Sequence, residues 1–246
     1  MEPAYLIPVA ITTVAVVSAA GGVWLSSLRG LSRRLVPFSG GVLMGVAIFW
    51  VLPEMADFFR WPLALAWIAA GFVLLLAIDR YVYPVCPSCS HTHDHHDCAS
   101  QLHGFATPLL IAAALHSALD GWSAVAAQST SLGGAFVLGI AAHKIPEGIA
   151  LGIIARAALD SRAAAIGWCA LAESATLAGA GFEAVLAPHI GAHGIHALLA
   201  LAGGSFLYLG GHAIHGESRR SGTAPAFVSA LTGVAGSSVL RLFVSP

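Results

Sequence analysis

The chain has few charged residues. Only 9% of its 246 residues are Asp, Glu, Lys or Arg, and its mean hydropathy is +0.82. Soluble domains carry about 25% charged residues, so this scarcity excludes an ordinary soluble protein and indicates an integral membrane protein. The net charge of −1 says nothing about partners, but the basic residues form no stripe, so no nucleic-acid partner is expected.

Long polar segments are also scarce, because apolar runs fill most of the chain. A run of about 20 apolar residues crosses a bilayer as a helix. Eight such runs are found, at residues 4–27, 36–56, 61–84, 105–127, 132–155, 162–184, 190–214 and 224–244. The first run lacks the basic n-region of a signal peptide and is interpreted as a retained helix. We expect an all-α integral membrane protein of eight transmembrane helices, with residues 1–246 forming a single transmembrane domain.

Arginine is distributed unequally between the two sides of these spans. The loops that follow the second, fourth and sixth spans contain only Arg60, and Arg241 lies near the C-terminus. Eight arginines lie at or after the ends of the first, third, fifth and seventh spans: Arg29, Arg33, Arg34, Arg80, Arg156, Arg162, Arg219 and Arg220. The positive-inside rule therefore places these loops in the cytoplasm and both termini outside. The compact loops favour a multi-pass protein of the bacterial inner membrane, either alone or as a homodimer.

Cysteine is rare too, and most of it is in one place. Of the 4 cysteines, only Cys169 lies in a span, and the others share the His-rich segment 85–104. In the reducing cytosol such a segment favours metal binding over a disulfide. Its spacing fits no zinc finger, so we interpret it as a flexible loop with weak, exchangeable metal sites, or as a solvated loop without a role. The candidate ligands are Cys86, Cys89, His91, His93, His95, His96 and Cys98.

Two predicted spans each carry a histidine four residues before a carboxylate. The pairs are His116 with Asp120 and His143 with Glu147. Residues i and i+4 share one helical face, about 6 Å apart along the axis. An ionisable side chain at the bilayer centre costs about 2.5–3.5 kcal/mol. One such pair is explained by a hydrogen bond between helices. Two pairs at similar depth in consecutive helices favour a site for a divalent metal ion. The ligand types do not discriminate between Zn²⁺, Fe²⁺ and Mn²⁺.

Other polar residues in or near the spans are weaker candidates. Glu173 lies at mid-span depth, and an intramembrane glutamate is either functional or a hydrogen-bonding group in helix packing. Glu54 lies near the end of the second span, at an outer vestibule or at the interface. Pro53 and Pro146 fall inside spans, where proline removes a backbone donor and is expected to kink the helix.

Histidines also occur at both ends of the seventh span. His189, His193 and His196 have spacings of four and three, so we expect them near one helical face, where they would gather metal or form a hydrated cluster without a role. His212 and His215 lie near the cytoplasmic end and are candidates for an exit.

Several segments resemble the ZIP family of zinc and iron transporters. HSALDG at 116–121 resembles the HNxxDG element of that family's fourth helix, and HKIPEG at 143–148 resembles the HExPHE element of its fifth. GGVLMGVAIFWVLPE at 40–54 and GGSFLYLGG at 203–211 are similar to its second and seventh helices. The resemblance covers nearly the whole chain. It implies a ZIP-type bundle with a metal site between helices four and five.

The resemblance also implies a role for individual residues. The residues matching the family's first metal site are His116, Asp120, His143 and Glu147, and those matching its second are Ser117, Lys144 and Glu173. This chain departs from the pattern, because Ser117 replaces an asparagine and Lys144 replaces an acid. A charged lysine cannot ligate a metal. We expect its ammonium to replace the second ion and neutralise Asp120, Glu147 or Glu173, leaving one metal per site, unless Lys144 snorkels away and pairs elsewhere.

These observations predict a transporter and not an enzyme. The expected substrate is a divalent cation, Zn²⁺ first and Fe²⁺, Mn²⁺ or Cd²⁺ as alternatives, taken into the cytoplasm by alternating access, with no cofactor. An intramembrane zinc hydrolase would also use His and carboxylate in lipid, but it needs an open coordination position for water. A membrane metal sensor that signals through the 85–104 segment is a third interpretation. The expected partners are the metal ion and the lipid bilayer.

Overall fold

The structure, a computed structural model, is helical throughout its regular secondary structure. It describes residues 3–27, 29–81, 98–130, 133–159 and 161–244, and these contain no strand. The helices are α1 (Pro3–Trp24), α2 (Arg29–Val46), α3 (Leu52–Phe59), α4 (Trp61–Tyr81), α5 (Cys98–Ala126), α6 (Gly133–Ala158), α7 (Arg162–Glu173), α8 (Ala175–Ser221) and α9 (Thr223–Val244). The all-α prediction is confirmed for this part of the chain.

Five helical segments in the described ranges are long and apolar enough to cross a membrane. They are Leu6–Trp24, Arg33–Phe59, Trp61–Tyr81, Phe136–Ala158 and Arg162–Arg220. The sixth and seventh predicted spans, 162–184 and 190–214, therefore lie in one helical stretch of 59 residues. This stretch is longer than a single membrane crossing needs. Large apolar side chains remain exposed along these segments, including Leu74, Leu171, Phe182 and Val185. A surface of this kind suits lipid better than water.

Only one of the two prolines inside predicted spans lies beside a helix irregularity. α2 continues into a π-helical turn at Ala47–Val51, directly before Pro53 in α3. By contrast, α6 runs unbroken from Gly133 to Ala158 through Pro146, so a broken helix at this proline is not observed. The strongest break is at Gly191 inside α8, with φ 61° and ψ −178°. Glycine is the residue that tolerates such a backbone without a Cβ clash.

Small residues bring pairs of helices into backbone contact. A Cβ added at Gly121 would overlap the backbone of Thr176, and one at Gly179 would overlap that of Ala118, so α5 and the first part of α8 pack closely. A Cβ at Gly22 would likewise meet the backbone of Ile149, which joins α1 to α6. Close approach through glycine is how helices associate in lipid.

The same device joins a second group of helices. Gly41 approaches the backbone of Ala230 between α2 and α9, and Gly71 approaches that of Leu201 between α4 and the second part of α8. The apolar residues form a larger core around Trp50 and Phe206 and a smaller one around Val23 and Cys169. The centre described next lies where α5, α6 and the end of α7 meet.

Candidate metal centre

Helices α5 and α6 bring the two sequence pairs together. His116 and Asp120 lie one turn apart on α5, and His143 and Glu147 lie one turn apart on α6. Asp120 and His143 are fully buried, and the side chains of His116 and Glu147 are 8% and 20% exposed. One ligand atom from each residue lies within 4.8 Å of all the others. In the described part of the chain, this is the group of His, Cys, Asp and Glu side chains that is arranged to hold a metal ion.

The ligand atoms of the four residues are spaced as they would be around one metal ion. His116 Nε2 lies 3.5 Å from Asp120 Oδ2 and 3.4 Å from Glu147 Oε1. His143 Nε2 lies 3.4 Å from Asp120 Oδ2 and 3.3 Å from Glu147 Oε2, so each imidazole is nearest to a different oxygen of Glu147. A tetrahedral Zn²⁺ with bonds of about 2.0–2.2 Å places its ligand atoms about 3.3–3.6 Å apart. The histidine–carboxylate distances therefore lie in the range that a shared metal ion would require.

A hydrogen-bond network between the same groups would have shorter distances. Direct N–H···O bonds join atoms about 2.7–3.2 Å apart. All four histidine–carboxylate distances exceed this range, and Nε2 of His143 is buried without a hydrogen-bond partner among the described residues. A buried polar atom without a partner is costly in a protein interior. The geometry therefore fits shared coordination of an ion better than direct pairing of His with carboxylate.

Lys144 extends the centre with a buried ammonium. Its Nζ lies 2.8 Å from Asp120 Oδ2, 3.1 Å from Glu147 Oε2 and 3.2 Å from Glu173 Oε2, and its side chain is fully buried. It also donates a hydrogen bond of 2.9 Å to Ser117 Oγ, which in turn donates one of 2.8 Å to Glu173. The ammonium thus contacts all three carboxylates that the sequence analysis considered. Snorkelling of Lys144 to the membrane surface is excluded by this burial.

The formal charge of the cluster suits a divalent cation. With neutral imidazoles, the carboxylates of Asp120, Glu147 and Glu173 against the ammonium of Lys144 leave a net charge of −2. Each uncompensated ion in a protein interior costs several kcal/mol. One divalent cation between the ligands would neutralise the cluster.

Neighbouring elements fix the ligands and leave space on one side. Ser39 of α2 donates a hydrogen bond of 3.3 Å to the backbone oxygen of His143, which ties α6 to α2 beside the centre. On the other side, His116 forms part of the wall of an apolar cavity of about 690 Å³, together with Leu119, Trp122 and Phe182. The centre therefore has a packed face toward α2 and an apolar space toward α4 and α8.

The histidines at the start of the seventh predicted span do not share one face. Gly191 interrupts the helix between His189 and His193, so the spacing argument fails for His189. His189 and His193 are exposed. The ring of His196 is buried and stacks on Phe58, with ring centroids 3.7 Å apart. The expectation of one face for all three histidines is therefore wrong for His189, because Gly191 breaks the helix, whereas the rings of His193 and His196 both contact Phe58.

The remaining candidates lie apart from the centre. Glu54 is half-buried in the first turn of α3, and His215 is exposed near the end of α8. His212 Nδ1 lies 4.0 Å from Asp79 Oδ2, which also accepts a hydrogen bond of 2.6 Å from Tyr208. Sequence reasoning missed the contact between Asp79 and Tyr208, because they are 129 positions apart and no motif connects them.

The His- and Cys-rich segment falls largely outside the described residues. Cys98 is the first residue of α5. The other predicted loop ligands lie outside the described ranges: Cys86, Cys89, His91, His93, His95 and His96.

Comparison with known proteins identifies no relative. No family model matches the chain, and no curated protein matches it at a significant level. The function is therefore argued from the residues of the centre.

Proposed function

We propose that this protein is a membrane transporter of divalent cations, of the ZIP type that its motifs resemble, and that Zn²⁺ is its preferred substrate. The observation that carries the proposal is the group of two histidines and two carboxylates whose histidine–carboxylate distances are 3.3–3.5 Å. These residues lie on helices apolar enough for a bilayer, at a depth where ionisable groups mark ion pathways. The metal is the cargo of the protein and not a cofactor.

The proposed topology has eight spans, and the helix boundaries support it. α2, the π-helical turn and α3 together give one span, ending at Arg60. α7 with the first part of α8 gives another, and the break at Gly191 begins the next. With the arginine distribution, this topology leaves both termini outside. We place the protein in the bacterial inner membrane because its loops are compact.

Alternating access is supported by the way the helices pack. Glycine contacts join α6 to α1 and α5 to the first part of α8, and other glycine contacts join α2 to α9 and α4 to the second part of α8. Helix α6 also packs along α2, where Gly139 meets the side chains of Val46 and Trp50, so alternating access would require movement along this surface. Rocking of one bundle against another around a midplane site is common among transporters.

The centre is proposed to carry one ion at a time. The position that would supply an acidic ligand for a second ion is Lys144, whose ammonium is surrounded by three carboxylates. A positive charge at this position repels a second cation. Titration of the purified protein with Zn²⁺ should therefore give one tightly bound ion per centre.

The test is Zn²⁺ uptake into proteoliposomes, comparing the parent with His143→Ala. Removing one of four ligands should abolish saturable uptake. A matched control is Glu183→Gln, which neutralises a buried carboxylate on α8 that belongs to no part of the centre. Tight Zn²⁺ binding by the parent without uptake would contradict transport and favour the sensor.

An intramembrane zinc hydrolase is the second candidate, and one observation favours it. The apolar cavity of about 690 Å³ reaches His116 and would accept an apolar chain beside a metal. A catalytic zinc site, however, keeps one position for water, whereas four protein ligands complete the tetrahedron here. Release of product from lipid or peptide substrates in detergent, without vesicle uptake, would establish the hydrolase instead.

A further inference from the structure

Lys144 contacts the same carboxylate oxygens that would bind the metal. Its Nζ lies 2.8 Å from Asp120 Oδ2, the atom 3.4 Å from His143 Nε2 and 3.5 Å from His116 Nε2. Nζ also lies 3.1 Å from Glu147 Oε2, the atom 3.3 Å from His143 Nε2. The ammonium and a metal ion at the centre therefore share two ligand oxygens.

A second set of partners for the ammonium lies away from the histidines. Ser117 Oγ and Glu173 Oε2 accept hydrogen bonds of 2.9 and 3.2 Å from Nζ. Glu173 Oε1 is buried and has no hydrogen-bond partner among the described residues, so this carboxylate has further capacity to accept. Three rotatable donors on a flexible stem allow lysine to shift between such acceptors without leaving the cluster.

We propose that Lys144 is a tethered cation that exchanges with the transported metal. Without metal, its ammonium holds Asp120 and Glu147. When a divalent cation binds these oxygens, repulsion drives the ammonium away from them, and it keeps its hydrogen bonds to Glu173 and Ser117. This inference rests on the proposed function, and it assigns Lys144 to positioning and release of the ion and not to ligation.

The consequence is an affinity lower than the four ligands alone would give. A metal ion must displace the ammonium from two oxygens in order to bind, and the ammonium recovers them when the ion leaves. Like charges a few ångströms apart in an interior repel strongly. The lysine therefore favours release, which a transporter needs at every turnover.

The decisive variant is the double substitution Lys144→Met with Glu173→Gln. It removes one positive and one negative charge, so the net charge of the cluster stays at −2, as in the parent. In the variant this charge lies on Asp120 and Glu147. Zn²⁺ binding is measured by calorimetry in detergent and Zn²⁺ uptake in proteoliposomes. We expect Zn²⁺ to bind at least about tenfold more tightly, with a lower KM and a lower maximal rate, because release is no longer assisted.

The outcomes separate this inference from the proposed function. If the parent neither binds nor transports Zn²⁺, both fail. If the parent does both and the double variant binds Zn²⁺ no more tightly, the lysine only balances charge and the inference is overturned. Glu183→Gln is the control and should keep the parent's affinity and uptake.

A measurement on the parent protein tests the inference even if the double variant does not fold. Lys144 is the only lysine in the chain, so lysine labelled with ¹⁵N at Nζ gives one side-chain ammonium signal in the untagged protein. Addition of Zn²⁺ should shift this signal in proportion to occupancy of the centre. An ammonium signal that does not move while Zn²⁺ binds would overturn the proposal.

Discussion

Asp120→Asn is the substitution that best tests the metal centre. Asp120 is fully buried, and its Oδ2 lies within 3.5 Å of both imidazoles and 2.8 Å from Lys144. Asparagine has nearly the same shape, so packing is retained while one negative charge is lost. The cluster then has a net charge of −1, and a divalent cation leaves one positive charge uncompensated.

The magnitude follows from the spacing of the charges. Two unit charges about 4 Å apart interact by about 4 kcal/mol at an effective dielectric constant of about 20 and by about 1 kcal/mol in water. Because about 1.4 kcal/mol is tenfold in affinity, the Kd for Zn²⁺ should rise by between about fivefold and about a thousandfold. The centre is buried, which favours the upper part of this range.

The assay is calorimetric Zn²⁺ titration of the purified protein in detergent, with circular dichroism to show that the helices are intact. Glu183→Gln is the matched neutralisation on α8 and should bind Zn²⁺ as the parent does. The reasoning is refuted if a folded Asp120→Asn protein binds Zn²⁺ within about threefold of the parent, or if Glu183→Gln causes the same loss.

Three further outcomes are expected. Zn²⁺ uptake should decrease as external pH falls from about 8 to about 5, because protons compete with metal for the imidazoles of His116 and His143; a flat profile would exclude them as ligands. Gly121→Leu should destabilise the protein by about 1–3 kcal/mol or prevent folding, since the side chain would overlap the backbone of Thr176; a thermal melt at or above the parent's would contradict this packing. Ser39→Ala should cost about 0.5–1.5 kcal/mol of stability through the lost hydrogen bond to His143, seen as a small decrease in Tm, and should weaken Zn²⁺ binding far less than Asp120→Asn.

The sequence predicted the parts of this molecule that depend on local periodicity. The helical class follows from long apolar runs, and the pairing of His116 with Asp120 and of His143 with Glu147 follows from a four-residue spacing on a helix. The contact of Lys144 with carboxylates was also expected, because a buried ammonium needs negative partners. Each of these inferences uses residues close together in the chain or a strong energetic penalty.

What the sequence could not give depends on backbone geometry and long-range packing. Pro146 lies in an unbroken helix, while the sharp break occurs at Gly191, close to the boundary between two predicted spans but at a residue that the apolar runs do not single out. That break removes His189 from the face of His193. Ser39 supports His143 from another helix, 104 positions away, and no motif connects the two. Such contacts follow from how the helices pack and cannot be read from spacing.

The four ligands of the centre differ in how accessible they are. The side chain of Glu147 is 20% exposed and that of His116 is 8% exposed, whereas Asp120 and His143 are completely buried. His116 also borders the apolar cavity toward α4 and α8. Each of the two helices therefore contributes one fully buried ligand and one that is more accessible, and Glu147 is the most accessible of the four.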